Sequence, residues 1–499
     1  MNNSNEKKGL KRQLNPMHVW AIAFGCIIGW GSFVNPGKKF LPNSGVAGTA
    51  IAMLLGAMVM IVIAFSYAYM VPKYPKAGGE FTFTKACYGK NAAFLCGWFL
   101  VAAYLTNVPM NSTAIGLIVD GLDGGADILK FGFRYEIAGF EVYLGEILLA
   151  MSILILFGVL NVMGVKKAGI VQTVLSSLLI VSVFCLTASA LISSKAQGIN
   201  LAPIWGFDKN AALAAGATVE NVDSFARGGT AGIISSILAT FAIAPWAFVG
   251  FDTIPQVAEE FKFSYKKVIG IMVIAIAFGC FVYVSNNTVA AAALENWPER
   301  VMAGEWVLLI AAEEMLGVYG KALIGVAVSC AVLSGIMGFY MASSRLIYSM
   351  AGEGYLPRVF SKVNPKFGTP VNAIIFCVII SLSGPILGRE ALGWFVDMSA
   401  IGASMGFMFT CLSSIRRMRA DGDGSRFKMA MAVIGAAFSV AFMILQLIPI
   451  PGLSGVNFGR ESYIMLAVWV VLGVCFYLFK RKSIMAAAAR SESNDSARS

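Results

Sequence analysis

The sequence predicts an all-α, polytopic membrane protein of twelve transmembrane helices, and three observations carry that prediction. The 499-residue chain is 58% apolar and only 13% charged, with a mean hydropathy of +0.75; a soluble domain carries about twice that share of charge. Apolar runs recur from residue 17 to residue 479, most of them near the roughly 20 residues a helix needs to cross a hydrocarbon core. Two runs are broken by glycine or proline at matching depth. A plain membrane anchor has no use for such breaks, because helix propensity falls by about 1 kcal/mol per Gly and about 3 per Pro.

In chain order, helices are expected over residues 17–35, 46–70, 91–120, 142–161, 167–192, 232–252, 268–293, 322–350, 371–388, 391–415, 428–449 and 461–479. With the N-terminus in the cytoplasm, most of the 38 lysines and arginines fall in loops on that side. The positive-inside rule then gives twelve spans with both termini cytoplasmic, a topology that fits a bacterial inner membrane. The net charge of +11 is thereby explained without nucleic acid. The first run is too long, and lacks the small-residue cleavage site, to be a removable signal peptide. Val301–Leu316, with Glu305, Glu313 and Glu314, reads as an external amphipathic helix across the mouth. Residues 193–230 form the longest external loop, with Trp205 and Phe207 expected to pack onto the mouth. Residues 1–16 and 481–499 are polar cytoplasmic tails, expected to be disordered, and 17–480 form one domain. The broken spans are the first and the sixth, which divides ten helices into two inverted sets of five, about 17–192 and 232–415. Helices over about 428–479 are peripheral.

The first break runs Gly25-Cys26-Ile27-Ile28-Gly29-Trp30-Gly31-Ser32-Phe33, the second Ala244-Pro245-Trp246-Ala247-Phe248-Val249-Gly250-Phe251-Asp252. Unwound backbone at membrane depth is tolerated only where protein buries it or a water-filled cavity receives it, and paired breaks mark the binding site of secondary transporters. A half-helix that begins at a break offers free N–H groups, and one that ends there offers free carbonyls. The Gly29-Trp30-Gly31 amides therefore favour an anion, and carbonyls near Cys26, Ile27, Trp246 and Val249 favour an amine. A zwitterionic amino acid satisfies both without a charged side chain, which is costly at the bilayer centre. A sodium ion on the carbonyls is the competing reading, and close helix packing by small residues the structural one.

The substrate-binding candidates are thus Cys26, Ile27, Gly29, Trp30, Gly31, Ser32, Trp246, Val249, Gly250 and Asp252. Trp246, next to Pro245, is a candidate gate, or a space-filler at a helix break; Trp30 admits the same two readings. Asp252 is an intramembrane carboxylate, suited to carry a proton, pair an amine or cap a half-helix. Glu259 and Glu260 read as a solvated helix end, and Asp120 and Asp397 as weaker candidates. Tyr104, Asn107 and Asn111 share one helical face, which lines the cavity or bonds neighbouring helices. The nine cysteines, without a Cys-x-x-Cys, read as small apolar fillers. His18 is the only histidine. No metal, cofactor or enzymatic nucleophile–base pair is expected.

Several ordered motifs carry a family resemblance across nearly the whole chain. Gly25-x-x-Ile28-Gly29-x-Gly31 lies in the first helix, Pro75-Lys76-Ala77-Gly78-Gly79-Glu80-Phe81 between the second and third, and Asn161-x-x-Gly164-Val165-Lys166 at the entry to the fifth. Phe248-Val249-Gly250-Phe251-Asp252 with Ala258-Glu259-Glu260 lies in the sixth, and Ser344-Arg345-x-x-Tyr348-x-Met350-Ala351-x-Glu353-Gly354-x-Leu356-Pro357 at the exit of the eighth. The set resembles amino acid permeases of the amino acid–polyamine–organocation superfamily. That resemblance implies a LeuT-type 5+5 inverted repeat with helices 1 and 6 broken, and transport of an amino acid or related amine by alternating access. The mode is exchange or symport with a proton or sodium. Trp246 falls where relatives place a gating aromatic. Two positions depart from the pattern. Trp30 stands where many relatives have Ser or Thr, so a hydroxyl contact is lost or passes to Ser32. The fifth-helix region Ser176 to Ile180 lacks the lysine of proton-coupled relatives. An amine or polyamine antiporter is the nearest alternative, and a nutrient receptor on a transporter scaffold a distant one.

Overall fold

A computed structural model of the chain describes residues 9–122, 124–137, 139–216, 224–389, 391–449 and 457–496. Helix formation follows the apolar runs closely. Helix α1 (Pro16–Ile27) starts with Pro16 in its first turn and with the Asn15 side chain accepting from His18 N at 2.8 Å, the arrangement that satisfies an orphan amide. It stops at Ile27, and α2 (Gly31–Asn35) takes up the run four residues later. Then come α3 (Leu41–Met70), α4 (Gly79–Leu122), a short antiparallel hairpin β1 (Arg134–Ile137) and β2 (Phe140–Tyr143), α5 (Leu144–Val162), α6 (Val165–Ile192) and the short helix α7 (Lys209–Ala214). The second broken run is α8 (Gly229–Phe241), α9 (Ala244–Phe248) and α10 (Thr253–Gln256). The chain continues through α11 (Val268–Ala292), α12 (Trp297–Met302), α13 (Val307–Leu316), α14 (Val318–Gly352), α15 (Val371–Ser381), α16 (Ala391–Ala420), α17 (Arg426–Leu447) and α18 (Arg460–Ser496).

Among the described residues, nine helical stretches are long and apolar enough to cross a membrane, and three apolar stretches are shorter: α1, α8 and 371–387. Two of the three short ones are the opening pieces of the broken runs. Helix α4 turns at Gly89, whose φ of +76° interrupts it just before the expected start at 91, so residues 79–88 form a separate helical piece ahead of the span. Helix α4 packs between α14 and α16, and α17 and α18 lie against α16. Val433, Val440, Val468 and Leu472 on those outer helices are exposed. An apolar face of that extent belongs against lipid rather than water.

Helix α13 has 10 residues, about 15 Å of length, too short to span. The Trp306 indole just before it donates to the Phe33 carbonyl at 2.8 Å, fixing it over the end of the first run. Phe207 of the long loop is buried against Trp297, with ring centroids 5.9 Å apart.

The tails depart from expectation. Residues 1–8 and 497–499 lie outside the described residues, but residues 9–15 are ordered rather than loose. Gln13 N and Leu14 N donate to the Glu260 carbonyl at 2.9 and 3.0 Å, and Lys262 N donates to the Leu14 carbonyl at 2.9 Å. At the other terminus α18 continues as a helix to Ser496. Hydropathy missed both, since backbone pairing and helix continuation need no apolar side chains.

Candidate functional site

The two breaks touch. Gly250 adopts φ +142°, and a Cβ there would stand 2.5 Å from Ile27 N and 2.8 Å from the Cys26 carbonyl carbon. Only glycine combines that backbone conformation with so close an approach. On the other side, the Trp246 indole occupies the space a side chain on Gly31 would fill. The Trp30 and Trp246 rings lie 6.5 Å apart, tilted at 56°. Trp246 therefore covers the Gly29–Gly31 turn, and both tryptophans are buried.

The backbone at the breaks keeps unused capacity. Among the described residues the Gly29 and Trp30 amides have no acceptor, and the Cys26 and Val249 carbonyls have no donor. The other two predicted carbonyls are occupied: Ile27 O accepts from the Tyr283 hydroxyl at 3.3 Å, and Trp246 O from Val249 N at 3.2 Å. Ser32 donates its hydroxyl to Gly29 O at 2.9 Å, closing the turn. Further down α1, Ala21 O accepts from Gln172 at 3.1 Å and Ser176 at 3.0 Å, and Gly25 O from Ser334 at 3.2 Å. Side chains thus already engage the carbonyls below the break.

Asp252 is fully buried and holds the second break in shape. Its Oδ1 accepts from Gly250 N at 2.7 Å, and its Oδ2 from the Tyr104 hydroxyl at 2.9 Å. The Tyr104 oxygen also lies 3.2 Å from Glu80 Oε1. Glu80, equally buried, accepts from Tyr67 at 2.8 Å and from Gln256 at 2.5 Å. A phenol carries one hydrogen, so the two carboxyls share a single donor there. Neither carboxyl forms an ion pair among the described residues. Glu80 is the polar group the sequence reading passed over as a site residue. It lay in a segment read as a loop, and its signal was its place in the Pro75–Phe81 motif.

The shared face of α4 divides in two. Tyr104 reaches Asp252, and the Asn111 carbonyl oxygen, buried and without a donor, lies 3.1 Å from where a Cβ on Gly29 would stand. Asn107 turns away and donates to Ser399 Oγ of α16 at 2.6 Å, so it ties helices together. The acids beyond the second break also differ from expectation. Glu260 is not at a solvated end: it is fully buried and paired with Arg345 at 3.0 Å. Glu259 accepts from Leu10 N at 3.1 Å and Ala77 N at 3.3 Å. The motif side chains Glu259, Glu260 and Arg345 thus converge with the N-terminal segment and close that end. Asp120 lies elsewhere, paired together with Glu146 to Arg389.

Comparison with known proteins identifies the family. The family model described as amino acid permease matches residues 14–475. The human large neutral amino acids transporter small subunit 2 is 29% identical over 374 residues, 75% of this chain and 64% of that protein's length. The Bacillus subtilis (strain 168) branched-chain amino acid permease BcaP is 24% identical over 507 residues, 95% of this chain and 94% of its own. The Arabidopsis thaliana mitochondrial cationic amino acid transporter 3 is 24% identical over 412 residues, covering 81% and 62% respectively. The chain thus spans less than two thirds of the length of the human and plant relatives but nearly all of the bacterial one. With the family model running from Leu14 to Cys475, through both helix breaks, the chain belongs to the amino acid permease family of the amino acid–polyamine–organocation superfamily.

Proposed function

We propose that the chain is a secondary active transporter that carries a zwitterionic amino acid across a membrane by alternating access. The observation that supports this reading is the juxtaposition, under Trp246, of free Gly29 and Trp30 amides with free Cys26 and Val249 carbonyls. The amides receive the substrate carboxylate and the carbonyls its ammonium. Asn111 supplies a further acceptor beside Gly29. No charged side chain is needed at the α-groups, which keeps the cost of the site low in lipid. Trp246 acts as the gate above the substrate.

In this reading the chain makes twelve spans as a LeuT-type 5+5 inverted repeat, α1–α2 being the first and α8–α10 the sixth, with both termini in the cytoplasm. Pairing of residues 13–14 with 260–262, and of Glu260 with Arg345, closes the cytoplasmic side. Two relatives are named for large neutral and branched-chain amino acids, which favours a neutral side chain. Side chains that engage the Ala21 and Gly25 carbonyls favour exchange or proton coupling over a sodium ion there. The Glu80–Tyr104–Asp252 cluster is the place for the proton.

The deciding experiment is uptake of labelled L-leucine and of other amino acids and polyamines into proteoliposomes, preloaded or empty, with and without ion gradients. Uptake that requires internal amino acid and ignores gradients supports an exchanger. Accumulation in empty vesicles under a proton gradient supports a symporter. Absence of uptake across the panel refutes transport. The cluster of two carboxylates favours an amine or polyamine antiporter as the second reading. Asp252→Asn should then abolish amine transport while only weakening zwitterion transport, and equal loss of both removes the distinction.

A further inference from the structure

The β1–β2 hairpin between α4 and α5 carries aromatic rings that no described residue covers. Side chains alternate across a strand, and the register Tyr135–Val142 and Ile137–Phe140 puts Phe133, Tyr135, Ile137, Phe140 and Val142 on one face. The other face carries Arg134, Glu136 and Glu141, with Arg134 and Glu141 paired at 2.9 Å. The middle of the apolar face is laid on the protein: Val142 is buried against Gly388, and the Tyr135 hydroxyl donates to the Ile386 carbonyl at 2.5 Å. Its ends overhang. Phe133 is 59% exposed and Phe140 47%, and Phe131, just before the strand, is 53% exposed. Backbone bonds fix them at the start of α5, where Leu144 N donates to Phe133 O at 3.1 Å and Gly145 N to Phe131 O at 3.3 Å.

These rings continue a surface that faces lipid. A Cβ on Gly145 would stand 2.5 Å from the Phe131 ring, and Gly145 shares a helical stripe with Leu148, Ile155 and Val159, all about half exposed. Ile375, Ile379 and Ile386 are exposed likewise on the 371–387 stretch, which packs beside α5. Exposed apolar stripes on spanning helices belong against lipid, and aromatic side chains gather where such stripes reach the headgroups. Residues 127–143 include two basic and three acidic side chains, so the segment has no basic excess to draw anionic lipid.

We propose that the hairpin is an interfacial anchor, lying flat on the membrane with Phe131, Phe133 and Phe140 in the headgroup–acyl boundary and Arg134, Glu136 and Glu141 in water. An amphipathic element of this kind sinks its apolar face about 5–10 Å into that boundary. In the proposed topology the boundary is that of the outer leaflet. The partner is the lipid surface itself, held by apolar area and not by lipid charge. Through its bonds to α5 and to the Ile386 carbonyl, the hairpin moors α5 and the 371–387 stretch to the leaflet.

The test attaches bimane to a cysteine introduced by Phe133→Cys, Phe140→Cys or Glu136→Cys, with the exposed Cys185 and Cys475 replaced by serine, in phosphatidylcholine nanodiscs. Emission from the labels at 133 and 140 should shift to the blue and be quenched by phosphatidylcholine bearing a headgroup nitroxide, but hardly by iodide. The label at 136 should show the reverse. Adding phosphatidylglycerol or salt should change neither pattern. Each label replaces one residue, so a Phe133→Trp variant, which keeps an aromatic ring, should gain tryptophan emission that the same nitroxide lipid quenches. Iodide quenching at 133 and 140 equal to that at 136 overturns the anchor. Shielding of 133 and 140 from both quenchers also overturns it and points to a protein partner on that face, and quenching that requires phosphatidylglycerol overturns an apolar anchor. None of these readings needs uptake, so a failure of the transport reading leaves the anchor standing.

Discussion

The two helix breaks are built by opposite means. At the first, glycines remove side chains, Ser32 closes the turn, and the Gly29 and Trp30 amides stay open. At the second, side chains hold the backbone: Asp252 takes the Gly250 amide, Tyr104 takes Asp252, and Glu80 and Gln256 extend the chain of bonds. The first break leaves backbone groups unpaired beneath Trp246, and the second is the frame it leans on. Unpaired backbone at membrane depth is costly, and the second break limits that cost by satisfying the Gly250 amide with the Asp252 carboxylate. It follows that substitutions at the second break should act on stability, and those at the first on ligand handling.

The largest effect tests the frame at its far end. Glu260→Gln leaves Arg345 buried without an anion and should cost about 3–5 kcal/mol, seen as early thermal loss of monodisperse protein in size-exclusion profiles. An unchanged profile would mean that end is not an anchor. Gly250→Ala follows, at about 3 kcal/mol, since the methyl meets helix backbone at a strained φ and no rotamer relieves it. Wild-type melting in that variant would show that the two breaks separate freely. Tyr104→Phe removes the one donor shared by two buried carboxyls and should cost about 1.5–3 kcal/mol; if uptake is proton-driven, its pH profile should shift as well.

The smaller effects belong to the first break. Gly31→Ala displaces the Trp246 indole and should lower uptake about tenfold, the equivalent of about 1.4 kcal/mol, with melting little changed. A matching fall in melting would make Gly31 a packing residue rather than part of the gate. Ser32→Ala opens the Gly29 turn for about 1 kcal/mol, or about a fivefold change in uptake, and a null result there would leave the turn to the glycines alone.

Much of this was legible in the amino-acid order. Apolar runs placed the helices because a hydrocarbon solvent demands about twenty apolar residues in a row. Glycine and proline placed the breaks, because each weakens a helix locally. Those two signals are local, and local patterns survive in a sequence. Tertiary structure alone decided which polar groups meet. Glu80 and Asp252 are far apart in the chain and come together at one phenol. Asn107 and Asn111 sit one turn apart on the same face, yet one bonds α16 and the other faces the first break. Glu260 read as a solvated end until Arg345, on another helix, buried it. Lys39, Asp397 and Gln446 line one cavity only because the end of the first run, α16 and α17 converge there. Burial and pairing depend on what the rest of the chain brings alongside, and no pattern within one segment records it.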